Sequence, residues 1–476
     1  MGLNVIASKI MAVTLGTAGI GLYSMLSQVN QSASLFGTAG GSAALVQGTA
    51  SRQGQSRDNY LVTVFWIFIT AGIITSIAIA GLAPWLAQFV LGEASESNVW
   101  LIRWLALPII LSVVLNYLSG VLNGFRAIGR LATVQIVAAA ANAALAYPVA
   151  HIVDIGYPIA FIGLLSMTNA AAIATCLVFA RRRGWLTPIR VKGLRPFFER
   201  DSARHFFLIA ATTMVTAVFA SVILLLVRSL IVSHSGLSGA GIFNVAWTFG
   251  FAYAMLVLGS FGTYYFPTLS LTHDKQARID LMRKMFRVST LLIVPLLVLA
   301  ILLKPLLVQL FYSSDFLESL QTLRWMLVAD YLKTASWVMS MPIIAYVDMK
   351  TFLWTEVSWW SGFLVLSAIS IQGYGEMQGV GLAYMVLYIA YLVYVFHYSR
   401  SRHGLTLTKR SVASWCIGLA LVGISSWLTW DATSVDWITF VPWLLVVFAF
   451  AWISLLPAER ERLGKMLHIK GRTSGS

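Results

Sequence analysis

The sequence predicts an all-α polytopic membrane protein with about 14 transmembrane helices, arranged as two parallel six-helix lobes around a central cavity plus two C-terminal helices. Composition is the first reason. Of 476 residues, 58% are hydrophobic and only 11% are charged, and the mean hydropathy is +0.80. Ordinary soluble domains are far less apolar. Runs of roughly 20 apolar residues recur, each long enough to cross a hydrocarbon core of about 30 Å.

The placement of basic residues is the second reason. Six of the 33 Lys and Arg residues lie well inside predicted helices, and the other 27 lie in every second loop, at the helix ends that border such a loop, or in the C-terminal tail. This positive-inside pattern predicts that both termini are cytoplasmic. It also accounts for the net charge of +15, so we expect no nucleic-acid partner. The loops without Lys or Arg are 92–97, 151–156, 234–238, 313–317, 372–377 and 431–436.

Each predicted helix is an apolar run that a polar or basic segment separates from the next. Lys9 interrupts the first run and no small-residue cleavage site follows it, which favours a membrane helix over a signal peptide. Arg52 and Arg57 follow the second helix, and Arg126 and Arg130 follow the fourth. The helices lie at about 3–17, 20–50, 60–91, 98–123, 129–150, 157–180, 205–233, 239–270, 285–312, 318–346, 351–371, 378–398, 411–430 and 437–456.

An internal repeat divides the chain. Gly21-Leu22-Tyr23 returns as Gly241-Ile242-Phe243, 220 residues later, and similar matches at nearly the same offset follow along four helices. Because each repeat holds an even number of helices, both enter the membrane from the same side, which predicts parallel lobes. The predicted parts are an N-lobe at 1–182, a linker at 183–203, a C-lobe at 204–402, and two extra helices with a basic cytoplasmic tail at 403–476.

The linker carries several arginines together with Trp185 and an aromatic stretch at 196–200. An amphipathic segment on the cytoplasmic leaflet would have this composition, and so would a solvated basic linker. The cysteines, Cys176 and Cys416, lie in apolar segments and predict neither a disulfide nor a metal site. Hydrolase, nucleotide and metal motifs are missing from the sequence, so no enzyme and no cofactor is expected.

The six basic residues inside predicted helices are the first candidates for a functional site. On insertion scales each costs about 2.5–3.5 kcal/mol at the bilayer centre, so such residues usually face a cavity or a partner. Arg103, Arg228 and Arg324 lie about one and a half turns from the outer ends of their helices and could snorkel to the headgroups instead, and the same alternative holds for Lys304. Lys333 lies near mid-span, one turn after Asp330, so a buried ion pair is its alternative. The six are Lys9, Arg103, Arg228, Lys304, Arg324 and Lys333.

Carboxylates do not balance these cations. Asp330 and Glu356 are the only acidic residues well inside predicted helices, and the first six helices contain none. A cavity for cationic substrates would need carboxylates. The imbalance therefore favours an anionic substrate, such as a phosphate or pyrophosphate held by Lys and Arg donors, with Asp330 as a charge partner or gating residue.

The second predicted helix is unusually polar for a membrane span. Gln28, Asn30 and Gln31 would insert poorly against lipid, so they should face protein or water. They suggest a cavity wall that offers hydrogen bonds to sugars, although close Gly/Ser helix packing remains open. In the equivalent helix of the second repeat, Trp247 and Tyr253 could stack on sugars or simply pack.

Three segments resemble a known family. They are residues 9–23 (Lys-Ile-Met-Ala-Val-Thr-Leu-Gly-Thr-Ala-Gly-Ile-Gly-Leu-Tyr), 260–270 (Ser-Phe-Gly-Thr-Tyr-Tyr-Phe-Pro-Thr-Leu-Ser) and 310–333 (Leu-Phe-Tyr-Ser-Ser-Asp-Phe to Ala-Asp-Tyr-Leu-Lys). They look like Wzx-type lipid-linked oligosaccharide flippases of the MATE/MOP-type exporter superfamily, nearest to the O-antigen and enterobacterial common antigen translocases. The similarity extends to about residue 400.

The resemblance implies a bacterial inner-membrane protein that moves an undecaprenyl-pyrophosphate-linked oligosaccharide unit from the cytoplasmic to the periplasmic leaflet. It implies that Lys9, Arg228 and Lys333 handle the charged carrier in a central cavity, and that polysaccharide polymerase and chain-length proteins are partners. Family members commonly have a longer first helix and stop after the second lobe. The resemblance thus implies a truncated or misassigned start, and gives the last two helices no role.

Other functions remain open on the residues alone. A cation-coupled multidrug exporter of the same fold would depend on Asp330 and Glu356. A membrane glycosyltransferase or polymerase acting on the same lipid would need a large outer loop, and the predicted outer loops are short. The loop after the second helix lacks the usual Gly/Asp/Arg signature of a major-facilitator porter.

Overall fold

A computed structural model describes residues 2–185, 198–373, 375 and 377–455, with no account of the side chains of 212, 251–257, 260 and 263. Over these ranges the chain is helical and contains no strand. Its helices are α1 (Gly2–Gly37), α2 (Ser42–Ser51), α3 (Gly54–Gly81), α4 (Ala83–Leu91), α5 (Glu96–Trp104), α6 (Ala106–Gly124), α7 (Ile128–Asp154), α8 (Ala160–Arg182), α9 (Arg200–Leu271), α10 (Lys275–Phe311), α11 (Ser319–Ala345), α12 (Met349–Ala368), α13 (Gln378–His403), α14 (Lys409–Leu428) and α15 (Trp437–Ser454). A 3₁₀ turn (Ser314–Phe316) precedes α11, and a π-helical turn (Ile369–Gly373) ends α12.

The predicted all-α membrane fold is confirmed. Within the described ranges, 11 helical stretches are long and apolar enough to cross a bilayer. Helix α11 falls outside this set because Arg324, Asp330 and Lys333 make it more polar. Helices α1 and α9 each contain two predicted helices that run into one another through a kink. With these two divided at their kinks and α11 added, every predicted helix corresponds to helical structure.

Two glycine kinks stand at equivalent places in the repeat. Gly16 in α1 has φ 63° and ψ −161°, and Gly236 in α9 has φ 67° and ψ −169°. Essentially only glycine adopts this region, because a Cβ atom would clash. The two residues are 220 positions apart, which is the offset of the sequence repeat. The backbone therefore repeats the same sharp turn in both halves.

The segments that follow these kinks cross at a second pair of glycines. A Cβ atom on Gly21 would lie 1.8 Å from the Leu237 carbonyl oxygen, and one on Gly241 would lie 2.1 Å from the Thr17 carbonyl oxygen. Leu237 and Thr17 are themselves 220 residues apart. The contact is thus reciprocal, with backbone against backbone, as small residues allow between membrane helices.

Some predicted boundaries were wrong. The third predicted helix starts at Gly54 rather than at 60, because its polar first turns also have a partner: Asn59 donates to the Glu199 carboxylate at 3.1 Å. A break near Leu82, before a proline, divides α3 from α4. Helix α9 begins at Arg200, inside the predicted linker.

The predicted interfacial segment falls mostly at 186–197, outside the described residues. Trp185, which was assigned to it, stacks on Phe125 with ring centroids 4.6 Å apart and lies 5.3 Å from the Arg130 guanidinium. This side chain therefore packs against the protein. The basic tail from 456 onward also lies outside the described residues.

The chain forms two compact units. The first comprises Met1–Asn244, Leu310–Phe316 and Glu356–Met377, and the second comprises Val245–Gln309, Leu317–Thr355 and Gln378–Ser476. The lobes read from the repeat stay a prediction. Because lipid is as apolar as the side chains, close packing and interhelical hydrogen bonds hold such units together.

The first unit packs around interlocking aromatic side chains. Phe68 meets both Tyr117 and Phe206 edge to face, with centroids about 6 Å apart. Tyr60 donates to the Ala44 carbonyl at 2.7 Å. In the second unit α11 packs along α13, where the Ser399 hydroxyl donates to the Met339 carbonyl at 2.6 Å.

Candidate functional site

Helix α11 brings a charged pair together inside the second unit. Asp330 and Lys333 are one turn apart, and Lys333 Nζ lies 3.9 Å from Asp330 Oδ1. Tyr384 of α13 joins them: Lys333 Nζ is 3.0 Å from its hydroxyl, and this hydroxyl lies 3.3 Å from Asp330 Oδ1. The Asp330 side chain is completely buried, and that of Lys333 is 15% exposed. The ion pair inferred from the sequence spacing is therefore present, with a phenol as a third member.

Aromatic rings surround this pair. Lys333 Nζ lies 5.7 Å from the centroids of both Tyr384 and Tyr388, close enough for cation–π attraction. Trp247, a predicted sugar contact, meets Tyr384 edge to face at 6.0 Å, and its role towards sugars stays a prediction. Tyr253, the other predicted aromatic contact, lies outside the described side chains. Sequence reasoning missed Tyr384 and Tyr388, although their spacing of four residues places them on one helix face.

Asp330 keeps one carboxylate oxygen without a hydrogen bond. Oδ2 is buried and has no donor among the described residues. A Cβ atom added to Gly250 would lie 3.6 Å from it. An unpaired carboxylate oxygen in a low-dielectric interior is unfavourable, so this atom is available to a proton or another donor.

Arg228 occupies a second cationic site, in the first unit. It lies on α9 before the Gly236 kink, and the kink folds the chain back so that Asn244 and Phe243 reach it. The guanidinium Nη2 donates to Asn244 Oδ1 at 3.1 Å, and its carbon lies 5.8 Å from the Phe243 ring centre. Arg228 is 5% exposed, and its Nε has no acceptor among the described residues. Since both partners are neutral, the positive charge is not neutralised there.

Lys9, the repeat equivalent of Arg228, lies before the Gly16 kink. It is half-buried, and its Nζ donates to the Tyr312 backbone carbonyl at 2.5 Å. The turn that carries Tyr312 belongs to the same compact unit as α1. Sequence reasoning paired Lys9 and Arg228 by offset alone. The structure gives each a neutral oxygen acceptor.

Arg324 is held in a tight cage. Its Nη2 donates to Gln378 Oε1 at 2.7 Å and its Nη1 to the Trp430 carbonyl at 3.2 Å, while the guanidinium lies 3.7 Å from the Trp430 ring centre. Arg324 is 5% exposed. The Arg324 guanidinium is thus hydrogen-bonded within the protein, which favours a packed cation over the snorkelling alternative.

Lys304 and Arg103 differ sharply from each other. Lys304 is 1% exposed, and its Nζ has no hydrogen-bond acceptor in the described part of the chain. Arg324 repels its charge and Asp431 attracts it. The snorkelling alternative is wrong for this buried ammonium. Arg103 is exposed and rests 5.3 Å from the Trp100 ring, as a snorkelling arginine would.

Part of the polar face of α1 makes hydrogen bonds to neighbouring helices. Gln28 Nε2 donates to the Ser221 hydroxyl at 3.3 Å, and Ser32 shares a 2.7 Å hydrogen bond with the same hydroxyl. Asn30 Nδ2 donates to the Ser112 hydroxyl at 3.2 Å. Gln31 is exposed and bonds only weakly within its own helix. Gln28 and Asn30 therefore both link α1 to neighbouring helices, and Asn30 and Gln31 also border open space.

That space is a cavity of about 710 Å³ in the first unit. A second cavity of about 780 Å³ adjoins it and shares Asn30, Gln135 and Asn169 as a common wall. No Asp, Glu, Lys, Arg or His is among the residues described as lining either one. Sequence reasoning missed most of the lining amides, although Asn and Gln inside apolar helices were the available signal. The side-chain amides that line the first cavity belong to Asn30, Gln31, Asn116, Asn123, Gln135 and Asn169.

Each unit contains buried cations, the first unit also contains polar cavities, and the fold is all-α and polytopic; these features are typical of a membrane transporter fold. Comparison with known proteins narrows the class. The family model described as "Polysaccharide biosynthesis protein" matches residues 10–321. The chain belongs to this polysaccharide biosynthesis protein family.

Curated relatives are similar in sequence at lower identity, and solved structures share the fold. The chain is 24% identical over 402 residues to the Lipid III flippase of Escherichia coli (strain K12), covering 82% of this chain and 92% of the relative, and it matches the Shigella flexneri Lipid III flippase equally well. It superposes on the lipid II flippase MurJ in an inward closed conformation with a TM-score of 0.72, at 16% identity over 95% of each chain. An inward-facing MATE multidrug transporter of the MOP superfamily gives a TM-score of 0.69, at 16% identity over 84% of this chain and 94% of that one.

Proposed function

We propose that the protein is a flippase that moves an undecaprenyl-pyrophosphate-linked oligosaccharide unit from the cytoplasmic to the periplasmic leaflet of the bacterial inner membrane. Family membership and similarity to a Lipid III flippase support this function. It is a transport function, with no bond made or broken. A polysaccharide polymerase and a chain-length protein would use its product.

One observation carries the proposal: among the described residues, buried Arg228 contacts the neutral groups of Asn244 and Phe243, and its Nε donor has no acceptor there. A diphosphate offers several charged oxygens, and guanidinium binds such oxygens through two parallel hydrogen bonds. Lys9 and Lys333 would add ammonium donors to the headgroup as it moves. Lys333 is partly neutralised by Asp330, so an arriving diphosphate would compete with that carboxylate.

The two repeats would alternate between inward-open and outward-open states while the polyprenyl tail stays in lipid. A membrane potential that is negative inside drives anions outward. Each charge moved across 100 mV is worth about 2.3 kcal/mol, so two net negative charges gain about 4–5 kcal/mol. The amides at Gln28, Asn30 and Gln31 and the rings at Trp247 and Tyr253 would serve the sugars.

Neutralising the cations tests the proposal. Arg228→Gln, Lys9→Gln and Lys333→Gln should each abolish complementation of a flippase-null strain while the protein remains in the membrane. Arg228→Lys should retain part of the activity, since the charge stays. Arg103→Gln is the matched control, because this arginine is exposed and should be dispensable. Normal export by all three Gln variants would refute the cationic mechanism.

A cation-coupled drug exporter is a second candidate, favoured by the buried Asp330 oxygen that has no donor within the described residues. That function predicts that expression lowers drug susceptibility and that Asp330→Asn abolishes the protection. Complementation of the flippase-null strain without any change in drug susceptibility would reject it.

A further inference from the structure

The carboxamide-lined cavities of the first unit show a chemistry that the cationic residues do not share. Across the residues described as lining both spaces, no charged side chain occurs. An ionised group that entered would lose hydration without gaining a counter-charge, which is strongly unfavourable. Neither a pyrophosphate nor a sugar carboxylate therefore suits this space. The ligand that fits is polar and uncharged.

Amide side chains suit sugar hydroxyls in particular. Each Asn or Gln offers two N–H donors and a carbonyl acceptor, and each sugar hydroxyl both donates and accepts. An acetamido group on a sugar has the same pairing ability. None of the lining residues of the 710 Å³ cavity is aromatic, so recognition there would use hydrogen bonds rather than ring stacking.

Part of the amide wall is fixed in advance. Asn30 and Asn169 both donate to the Ser112 hydroxyl, at 3.2 and 2.8 Å, and Asn116 donates to the Ser112 carbonyl at 2.9 Å. Three amides, one each from α1, α6 and α8, thus converge on one serine. Such preorganisation lowers the entropy lost when a ligand binds.

Other amides of the cavity wall have no hydrogen-bond partner within the described residues. Asn123, Gln135 and Asn142 make no side-chain hydrogen bond within the described residues, so their donors and acceptors are free for a ligand. Gln135 also belongs to the wall that the two cavities share. Each volume lies in the range of about 300–1,000 Å³ typical of small-molecule sites. Together they have room for more than one sugar ring.

We infer that these cavities bind an uncharged segment of the glycan, built from hydroxyl- and acetamido-bearing sugars, and that Gln135 and Asn169 are specificity-determining residues. The inference rests on the proposed flippase function and deepens it, since it separates glycan recognition from diphosphate recognition. A glycan with a uronic acid in this segment would be disfavoured, because its carboxylate would meet neutral amides and hydroxyls and no cation among the lining residues that the structure describes.

Reconstituted vesicles test the inference with two matched probes: a polyprenyl-diphosphate oligosaccharide of neutral N-acetylhexosamines, and its counterpart with one hexuronic acid. Wild-type protein should flip the neutral probe at least about tenfold faster, the ratio that corresponds to 1.4 kcal/mol of discrimination. Gln135→Lys should shift the preference toward the acidic probe by at least about tenfold. Asn169→Asp should slow both probes, and the acidic one more.

Gln55→Lys is the matched control, because Gln55 is exposed and bonds only to Asn59 of its own helix; it should leave the preference unchanged. Two results would overturn the inference: wild type flips both probes equally, or folded Gln135→Lys keeps the wild-type preference. If Arg228→Gln still blocks flipping in that case, the proposed flippase function stands and only the inference fails. If neither probe is flipped, both the inference and the proposed function are overturned.

Discussion

The reciprocal contact of Gly21 with Gly241 should be intolerant of a single added methyl group. In Gly21→Ala the new Cβ would lie 1.8 Å from the Leu237 carbonyl oxygen and 2.7 Å from its carbon. The short end of ordinary carbon–oxygen contacts is about 3.3 Å, so the two backbones must separate by roughly 1.5 Å. The atoms in the way are main chain, which cannot rotate aside. Overpacking of this kind typically costs about 1–3 kcal/mol.

The stabilisation that alanine normally brings to a helix is smaller than this cost. Gly to Ala within a helix is otherwise stabilising by about 0.5–1 kcal/mol. We therefore expect a net loss for Gly21→Ala and for Gly241→Ala, measured as a lower Tm of the detergent-solubilised protein. Gly163→Ala is the matched control: its Cβ would meet nothing within 4 Å, so it should keep or raise the Tm.

A double variant sharpens the prediction. Because each substitution forces the same two backbones apart, the second should cost much less once the first has opened the crossing. The double variant should fall short of the sum of the single effects by at least about 0.5 kcal/mol. Strict additivity, or a Gly21→Ala protein as stable as the Gly163→Ala control, would refute the backbone-contact argument.

Three further substitutions test buried and loop charges. Arg324→Gln should lower stability by about 1.5–3 kcal/mol in a thermal unfolding assay, because it removes charged hydrogen bonds that a glutamine cannot replace; a loss no larger than that of Arg103→Gln would contradict this. Lys304→Met should increase the free energy of unfolding by about 1 kcal/mol or more and so raise the Tm, because it replaces a buried ammonium that has no acceptor within the described residues with an apolar side chain of similar length. Hydrogen bonds from Tyr398 and Thr351 lower the pKa of the Asp348 carboxyl, between α11 and α12. The stability it contributes is present above the unfolded pKa of about 3.9 and is lost as the pH falls through the lowered folded pKa. An acid titration of Tm should therefore show a smaller drop for Asp348→Asn than for wild type, and parallel curves would refute the assignment.

The fold could be predicted because each membrane span and each basic loop is specified by a short continuous stretch of the sequence. A span needs only length and apolarity, and both can be read directly. The kinks could not, because Gly16 and Gly236 look like any other helical glycine in the sequence. Their positive φ angles become necessary only where Gly21 and Gly241 bring two segments into contact. The 220-residue offset was the available clue, since both pairs obey it.

The candidate site was predictable only where its members share one helix. The Asp330–Lys333 pair followed from a spacing of three residues. Tyr384 lies more than 50 positions away along the chain, so only helix packing reveals it. The amides of Asn30, Asn116 and Asn169 are individually visible in the sequence, but their convergence on Ser112 depends on the meeting of α1, α6 and α8. The sequence shows which polar residues enter the membrane; the packing decides which of them share a space.

Arg103 and Arg324 show that the environment of a charged side chain depends on its packing partners more than on its position in the repeat. The repeat makes them equivalents, 221 residues apart and in the same local motif. One is exposed beside Trp100, and the other is enclosed by Gln378 and Trp430. Trp430 belongs to the loop between α14 and α15, the two helices that the repeat leaves over and that the resemblance gave no role. Within the second unit, these added helices therefore have one specific structural effect: the loop between them covers Arg324, whereas its repeat equivalent Arg103 stays exposed.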